Sequence, residues 1–112
     1  MKVYEGLLHD GEAKIFVTQN NKRSELRIEP SLRVWNHSPS GFNWGYGGSG
    51  PAQTSLALLL DALGDQERAV NLHQSFKFRV VADWPSDSNW TITDEEIKNT
   101  CTELEMIRER IR

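Results

Sequence analysis

The sequence predicts a small α+β protein: an antiparallel sheet of three or four strands packed on a central apolar helix, with two further helices. Three observations predict it. The first thirty of the 112 residues alternate apolar and polar side chains between turn signals. The stretch from Pro51 to Leu63 is apolar almost all round. Helical spacing follows in two later stretches, one behind Asp65 and one behind a capping box at Thr93. The length suits a single domain over residues 1–112.

Lys2 to Leu8 reads as the first strand, with Val3, Tyr4 and Leu7, and His9-Asp10-Gly11-Glu12 as a turn. Ala13 to Thr18 is the second strand, in which Ile15 and Val17 alternate with polar neighbours and Phe16 breaks the pattern. Gln19-Asn20-Asn21-Lys22 turns the chain again, because asparagine tolerates left-handed backbone. Ser24 to Glu29 alternates Leu26 and Ile28 with charged residues and is expected as the third strand. Pro30 ends that strand or places it at an edge, since proline has no ladder donor. Ser31 to His37 receives no regular type.

Ser49-Gly50-Pro51 marks a helix start, with Ser or Gly as cap and proline in the first turn. The helix runs to Leu63 and stops at Gly64. Its leucines and alanines leave no polar face, so it belongs in the centre of the protein. Asp65 begins the next helix. Residues 76 to 84 read two ways: Phe76, Val80 and Trp84 continue a helical stripe, whereas Phe76, Phe78, Val80, Ala82 and Trp84 alternate as a strand. A continuous helix is preferred, and the strand would give the sheet its fourth member. Pro85 to Asn89 is a polar loop. Thr93 and Glu96 then open a final helix whose inner stripe is expected to hold Ile97, Cys101, Leu104, Ile107 and Ile111.

Composition excludes several classes of function. A net charge of -3 argues against a dominant nucleic-acid-binding surface. No window has the apolar length of a membrane span, and the polar first dozen residues lack the core of a secretory signal, so a cytoplasmic location is expected. A single cysteine, Cys101, allows no internal disulfide and suits a reducing compartment. His9, His37 and His73 lie in three separate segments without metal-ligand spacing, so neither metal nor other cofactor is expected.

The chemistry is concentrated between Ser38 and Gln53, which hold five of the eight glycines, two of the four prolines and the alternating aromatics Phe42, Trp44 and Tyr46. Ordering so much glycine costs entropy, which points to a built loop. It feeds a helix amino terminus, where free backbone donors and a partial positive charge favour an anion. No lysine follows Gly50, so this is not a standard phosphate loop, and the nearest cations in sequence are Arg33 and His37. The candidate ligand site is Arg33 and His37, with Phe42, Trp44 and Tyr46 as stacking rings and Gly48, Ser49, Gly50 and Gln53 at the helix end. An equally good account makes the segment a compact loop whose aromatics plug a gap between sheet and helix.

No catalytic constellation accompanies it. Serines near His37 lack a nucleophile elbow and an oriented acid. Glu95, Glu96, Glu103 and Glu105 read as a solvated helix face, His73 as a hydrogen-bonded core histidine, and Cys101 as an inert small hydrophobe.

The chain resembles a family of small uncharacterised domains from bacteria, haloarchaea and phages. The resemblance rests on the opening Lys2-Val3-Tyr4-Glu5-Gly6, the block from His37 to Gln53, the helix behind it, Phe76-Lys77, and Trp90 before the last helix. It implies no activity. A segment longer than usual after Ile97 brings self-association through the last helix into play. The expectation is a non-enzymatic phage or mobile-element protein binding a small anionic ligand, such as a nucleotide immune signal. The alternatives are an inhibitor of a host defence enzyme that uses the same loop and, third, a nucleotide hydrolase using His37.

Overall fold

A computed structural model describes residues 1–111, although the Ile111 side chain, expected on the inner stripe, lies outside what is described. The chain forms β1 (Lys2–His9), β2 (Glu12–Gln19), β3 (Lys22–Glu25), α1 (Glu29–Val34), α2 (Ser49–Leu63), α3 (Gln66–Arg79), β4 (Trp90–Thr93) and α4 (Asp94–Ile111). The fold is α+β, with one antiparallel sheet in the order β3-β2-β1-β4.

The two hairpins are tight because their corners tolerate positive φ. Asp10 and Gly11 take φ of 49° and 79°, and Asn20 and Asn21 take 54° and 63°. Two consecutive left-handed residues match the twist of the flanking strands. The resulting register pairs Tyr4 with Val17, Gly6 with Ile15 and Leu8 with Ala13. Tyr4, Gly6 and Ile15 on this face are buried. On the other face Arg23 reaches Glu5 at 3.6 Å and lies over Phe16 at 4.3 Å, which accounts for the aromatic that broke the strand alternation.

The central helix is present and ends as expected, but it begins at Ser49 behind the N-cap Gly48, two residues before the expected start at Pro51. Eleven residues of α2 are buried, from Gly50 through Leu59 and Ala62; the helix packs along α3, and its leucines share one core with Tyr4 and Ile15 of the sheet, whose Tyr4 hydroxyl donates to Asp61 at 2.6 Å. Gly64 ends it at φ 63°, and the Asp65 side chain accepts from the Arg68 N–H to start α3. Thr93 and Glu96 form the anticipated reciprocal cap: Thr93 Oγ1 accepts from Glu96 N and Glu96 Oε1 from Thr93 N.

Four expectations are corrected. The third strand spans Lys22–Glu25, every residue of it exposed, and Leu26 and Ile28 lie beyond it. Pro30 sits in the first turn of the short helix α1, where its missing donor costs nothing. The fourth strand is Trp90–Thr93, paired with β1; residues 76 to 79 are helix, followed by a tight turn at Val81–Asp83. The helical stripe prevails only as far as Arg79, short of the expected Trp84: Ala69, Leu72, His73 and Phe76 bury together, whereas Phe78, inward on a strand, is 62% exposed. Finally, Ile107 is exposed, while Glu103 and Glu105 bind α4 to α3 through Arg79 at 3.1 Å and Arg68 at 2.7 Å. Among the described residues no helix is long and apolar enough to cross a membrane.

Candidate functional site

The glycine-rich segment divides into a buried half and an exposed half. Trp44 has no exposed surface and Phe42 is 9% exposed. Trp44 meets Trp90 edge-on at 5.4 Å, Trp90 stacks on Trp84 at 4.1 Å, and Trp44 Nε1 donates to the Ser88 carbonyl at 3.0 Å. Gly45 allows this insertion: it takes φ +87°, and a Cβ there would stand 2.5 Å from the Ser86 backbone. Trp44 therefore plugs the core and offers no face for stacking a ligand, while Phe42, packed in the same core, only lines a cleft between the β1–β2 hairpin and Ser40–Asn43. Of the three aromatics only Tyr46 is exposed, at 47%.

Gln53 is likewise committed to structure. Its side chain is fully buried; Oε1 accepts from the His37 and Ser38 N–H groups, and Nε2 donates to Ser31 Oγ and the Trp35 carbonyl. One amide thus ties the end of α1 and the start of the loop to α2. Arg33 is exposed on α1 and makes no ion pair among the described residues. Gly50 is buried against Asn43, with the Tyr46 hydroxyl 3.1 Å from where its Cβ would stand, and the Tyr46 ring covers Gly48. Ser49 is exposed at the first position of the helix.

The cation at the loop is Lys77, three and four residues beyond Gln74 and His73 on α3. It is 6% exposed; its ammonium donates to the Gly47 carbonyl at 3.0 Å and lies 4.0 Å from the centre of the Phe78 ring. No carboxylate pairs with it among the described residues. Gly47 precedes the α2 N-cap, Gly48, so the ammonium stands beside the amino terminus of a fifteen-residue helix. That terminus has no side-chain cap and no acidic residue in its first turn. Two positive features thus adjoin without a counter-charge.

Beside them His37 and His73 meet Nε2 to Nε2 at 2.9 Å. A carbonyl only accepts, so His73 Nδ1 carries the proton bonded to the Val70 carbonyl at 2.7 Å. His73 Nε2 is then the acceptor and His37 Nε2–H the donor. Burial first, then His73, then Lys77 hold the His37 ring below its ordinary pKa. His73 is lowered chiefly by burial, with Lys77 adding to it and the Val70 bond opposing. Trp35, 48% exposed, stacks on His37 at 4.8 Å and meets His73 edge-on at 5.3 Å. Among the described residues no three His, Cys, Asp or Glu side chains gather as metal ligands.

Sequence reasoning finds His37 and Tyr46 but not Lys77, Phe78 or Trp35. The available signal is the i, i+4 pair His73 and Lys77 on a helix, which puts both on one face. A separate cleft of about 320 Å³ lies between the β1–β2 hairpin and Ser40–Asn43. Glu12, Glu25 and Glu29 outnumber Lys14 and Arg27 there, which makes it a poor place for an anion.

Residues 4–103 match the family model described as "Family of unknown function (DUF6166)". The chain belongs to this family. The DUF6166 match takes in the whole constellation, from Trp35 and His37 through the loop to His73, Lys77 and Phe78. No curated protein and no solved structure matches the chain.

Proposed function

We propose that this DUF6166 protein is a non-enzymatic binding protein for a small anionic ligand, of the nucleotide kind, acting in the cytoplasm and of phage or mobile-element origin. One observation carries the reading: a buried ammonium, Lys77, stands without a carboxylate beside the uncapped amino terminus of α2. Burying a cation without a counter-charge is costly, and an anion seated there removes the cost. Tyr46 flanks the position on the α2 side and Phe78 on the α3 side, both exposed, and a nucleobase can lie against either ring. This reading keeps Tyr46 of the expected site and uses Phe78 in place of Trp44 and Lys77 in place of Arg33. Thermal shift against mono-, di- and cyclic nucleotides tests it. A rise in Tm near millimolar ligand that is lost in Lys77→Gln supports the reading, and no rise with any nucleotide sinks it. Chromatography of the same mixtures reads any hydrolysis.

A second reading has its own observation. Trp35, Tyr46 and Phe78 are three of the six large apolar side chains that are exposed among the described residues; Trp35 lies on His37, Phe78 on Lys77, and Tyr46 over Gly48 beside the Gly47 that Lys77 binds. Exposed Trp and Tyr are frequent anchors of protein interfaces, which suits an inhibitor of a host defence enzyme. Recovery of a partner by the wild type that drops with Trp35→Ala and Phe78→Ala distinguishes this reading from ligand binding alone. Self-association through α4 would use Met106 and Ile107, exposed on that helix, and sedimentation at two concentrations tests it.

A further inference from the structure

The His37–His73 pair adds a regulatory feature to the proposed anion site, one that rests on the anion reading of Lys77. The pair is internally satisfied at one end only. His73 uses Nδ1 on the Val70 carbonyl and Nε2 on His37, whereas His37 Nδ1 has no hydrogen-bond partner among the described residues. His37 is only half-buried, so a proton can reach that atom. Protonation at Nδ1 leaves the Nε2–H bond to His73 intact, and the imidazolium keeps its place under the Trp35 ring.

The charges around the pair are lopsided. From α3 it feels the Lys77 ammonium; from α2 the neutral Gln53 side chain bonds the His37 N–H; from the residues after α1, the pair faces the Trp35 ring. No carboxylate bonds to either ring among the described residues. Without an anion, a proton on His37 therefore meets only like charge. An anion on Lys77 reverses that field.

We infer that the site takes a phosphoryl group together with a proton, His37 Nδ1 accepting it, so that affinity for the anion rises as the solution is acidified below neutrality. The two events assist each other by the same factor, as linkage requires. Phosphoryl chemistry fits better than a carboxylate, because it brings a third oxygen and a second negative charge to the field of Lys77 and the imidazolium. Free phosphate and a nucleotide share this chemistry.

The test reads the rings directly. Imidazole nitrogen and carbon signals of the full chain are followed by NMR through a pH titration, alone and with saturating adenosine 5′-monophosphate, inorganic phosphate or adenosine. The expected result is a His37 midpoint raised by about one pH unit with adenosine monophosphate, which corresponds to about tenfold tighter binding on the acid side. The same rise with inorganic phosphate assigns the effect to the phosphoryl group alone; a rise with the nucleotide only makes the base necessary. Adenosine is expected to leave the midpoint where it was, and a rise with adenosine overturns the inference. If the Gly47 to Gly50 amides shift with adenosine monophosphate while the His37 midpoint stays, anion binding stands and its coupling to a proton fails. If neither moves, the anion reading fails with it. Lys77→Gln in the empty protein is expected to raise both midpoints, and unchanged midpoints would remove the electrostatic basis. His37→Gln is expected to flatten the pH dependence of adenosine monophosphate affinity, and an undiminished slope would exclude His37 as the acceptor.

Discussion

Gln53 Oε1 accepts the His37 N–H at 2.7 Å, so the residue just before the glycine-rich segment hangs from a fully buried amide in the second turn of the central helix. With the Ser38 N–H, Ser31 Oγ and the Trp35 carbonyl on the same side chain, four partners lose their bond if it is removed. We expect Gln53→Ala to cost about 2–4 kcal/mol, the range for breaking a buried network. Urea unfolding measures it. A cost within the error of a surface substitution would show that the segment is held by other contacts.

Trp44 and Phe78 are expected to separate stability from binding. Trp44→Ala removes a fully buried indole and its bond to Ser88, and about 3–5 kcal/mol of stability with them. Phe78→Ala touches an exposed ring and should change stability by less than about 1 kcal/mol while weakening ligand or partner binding. Denaturant melts beside binding isotherms check both, and the reverse pattern would return the site to Trp44.

Gly6 faces Trp90 across the β1–β4 pairing, and a Cβ on Gly6 would run into the indole ring. The strand cannot move without disturbing its pairing with β2, so overpacking is not relieved cheaply. Gly6→Ala should lose about 1–3 kcal/mol or more, visible as a lower Tm and altered tryptophan fluorescence. Trp90 Nε1 is buried without a partner, so Trp90→Phe should be tolerated better than Gly6→Ala.

Stability should fall on mild acidification. His37 and His73 are both held below the ordinary histidine pKa of about 6.5, so the unfolded chain binds more protons than the folded one in that region. Their contribution is complete above about pH 7 and is lost as the pH drops through about 6.5 toward the folded midpoints. Glu105 is held low by its hydrogen bonds from Arg68, so its share is lost only below roughly pH 4, the ordinary glutamate range. Melts from pH 8 to 5 are expected to show a decline that His37→Gln reduces; a flat profile would contradict the depressed rings.

Cys101 should be inert in the native protein. It is fully buried on α4, and burial pushes its thiol up to about 11, so almost no thiolate exists at neutral pH. A thiol reagent is expected to react fully in denaturant and only at the rate of unfolding without it. Rapid native labelling would place Cys101 at the surface.

Elements whose signals are local are legible in the amino-acid sequence alone. The two hairpin corners, the buried helix with its glycine stop, the Asp65 start and the Thr93–Glu96 cap follow from neighbours within four residues, which is the reach of turn, cap and periodicity rules. β4 escapes those rules because four residues carry too little alternation. The character of the site depends on tertiary packing instead. A glycine-rich segment has no period, so nothing in residues 41–46 says which ring turns inward; the space left beside Trp90 and Ser86 drew in Trp44, and Tyr46 stayed outside. His37 and His73 are 36 residues apart and Lys77 and Gly47 are 30 apart. Only the packing of α3 along α2 brings them together, because that contact, not spacing along the chain, sets which helix face meets the loop.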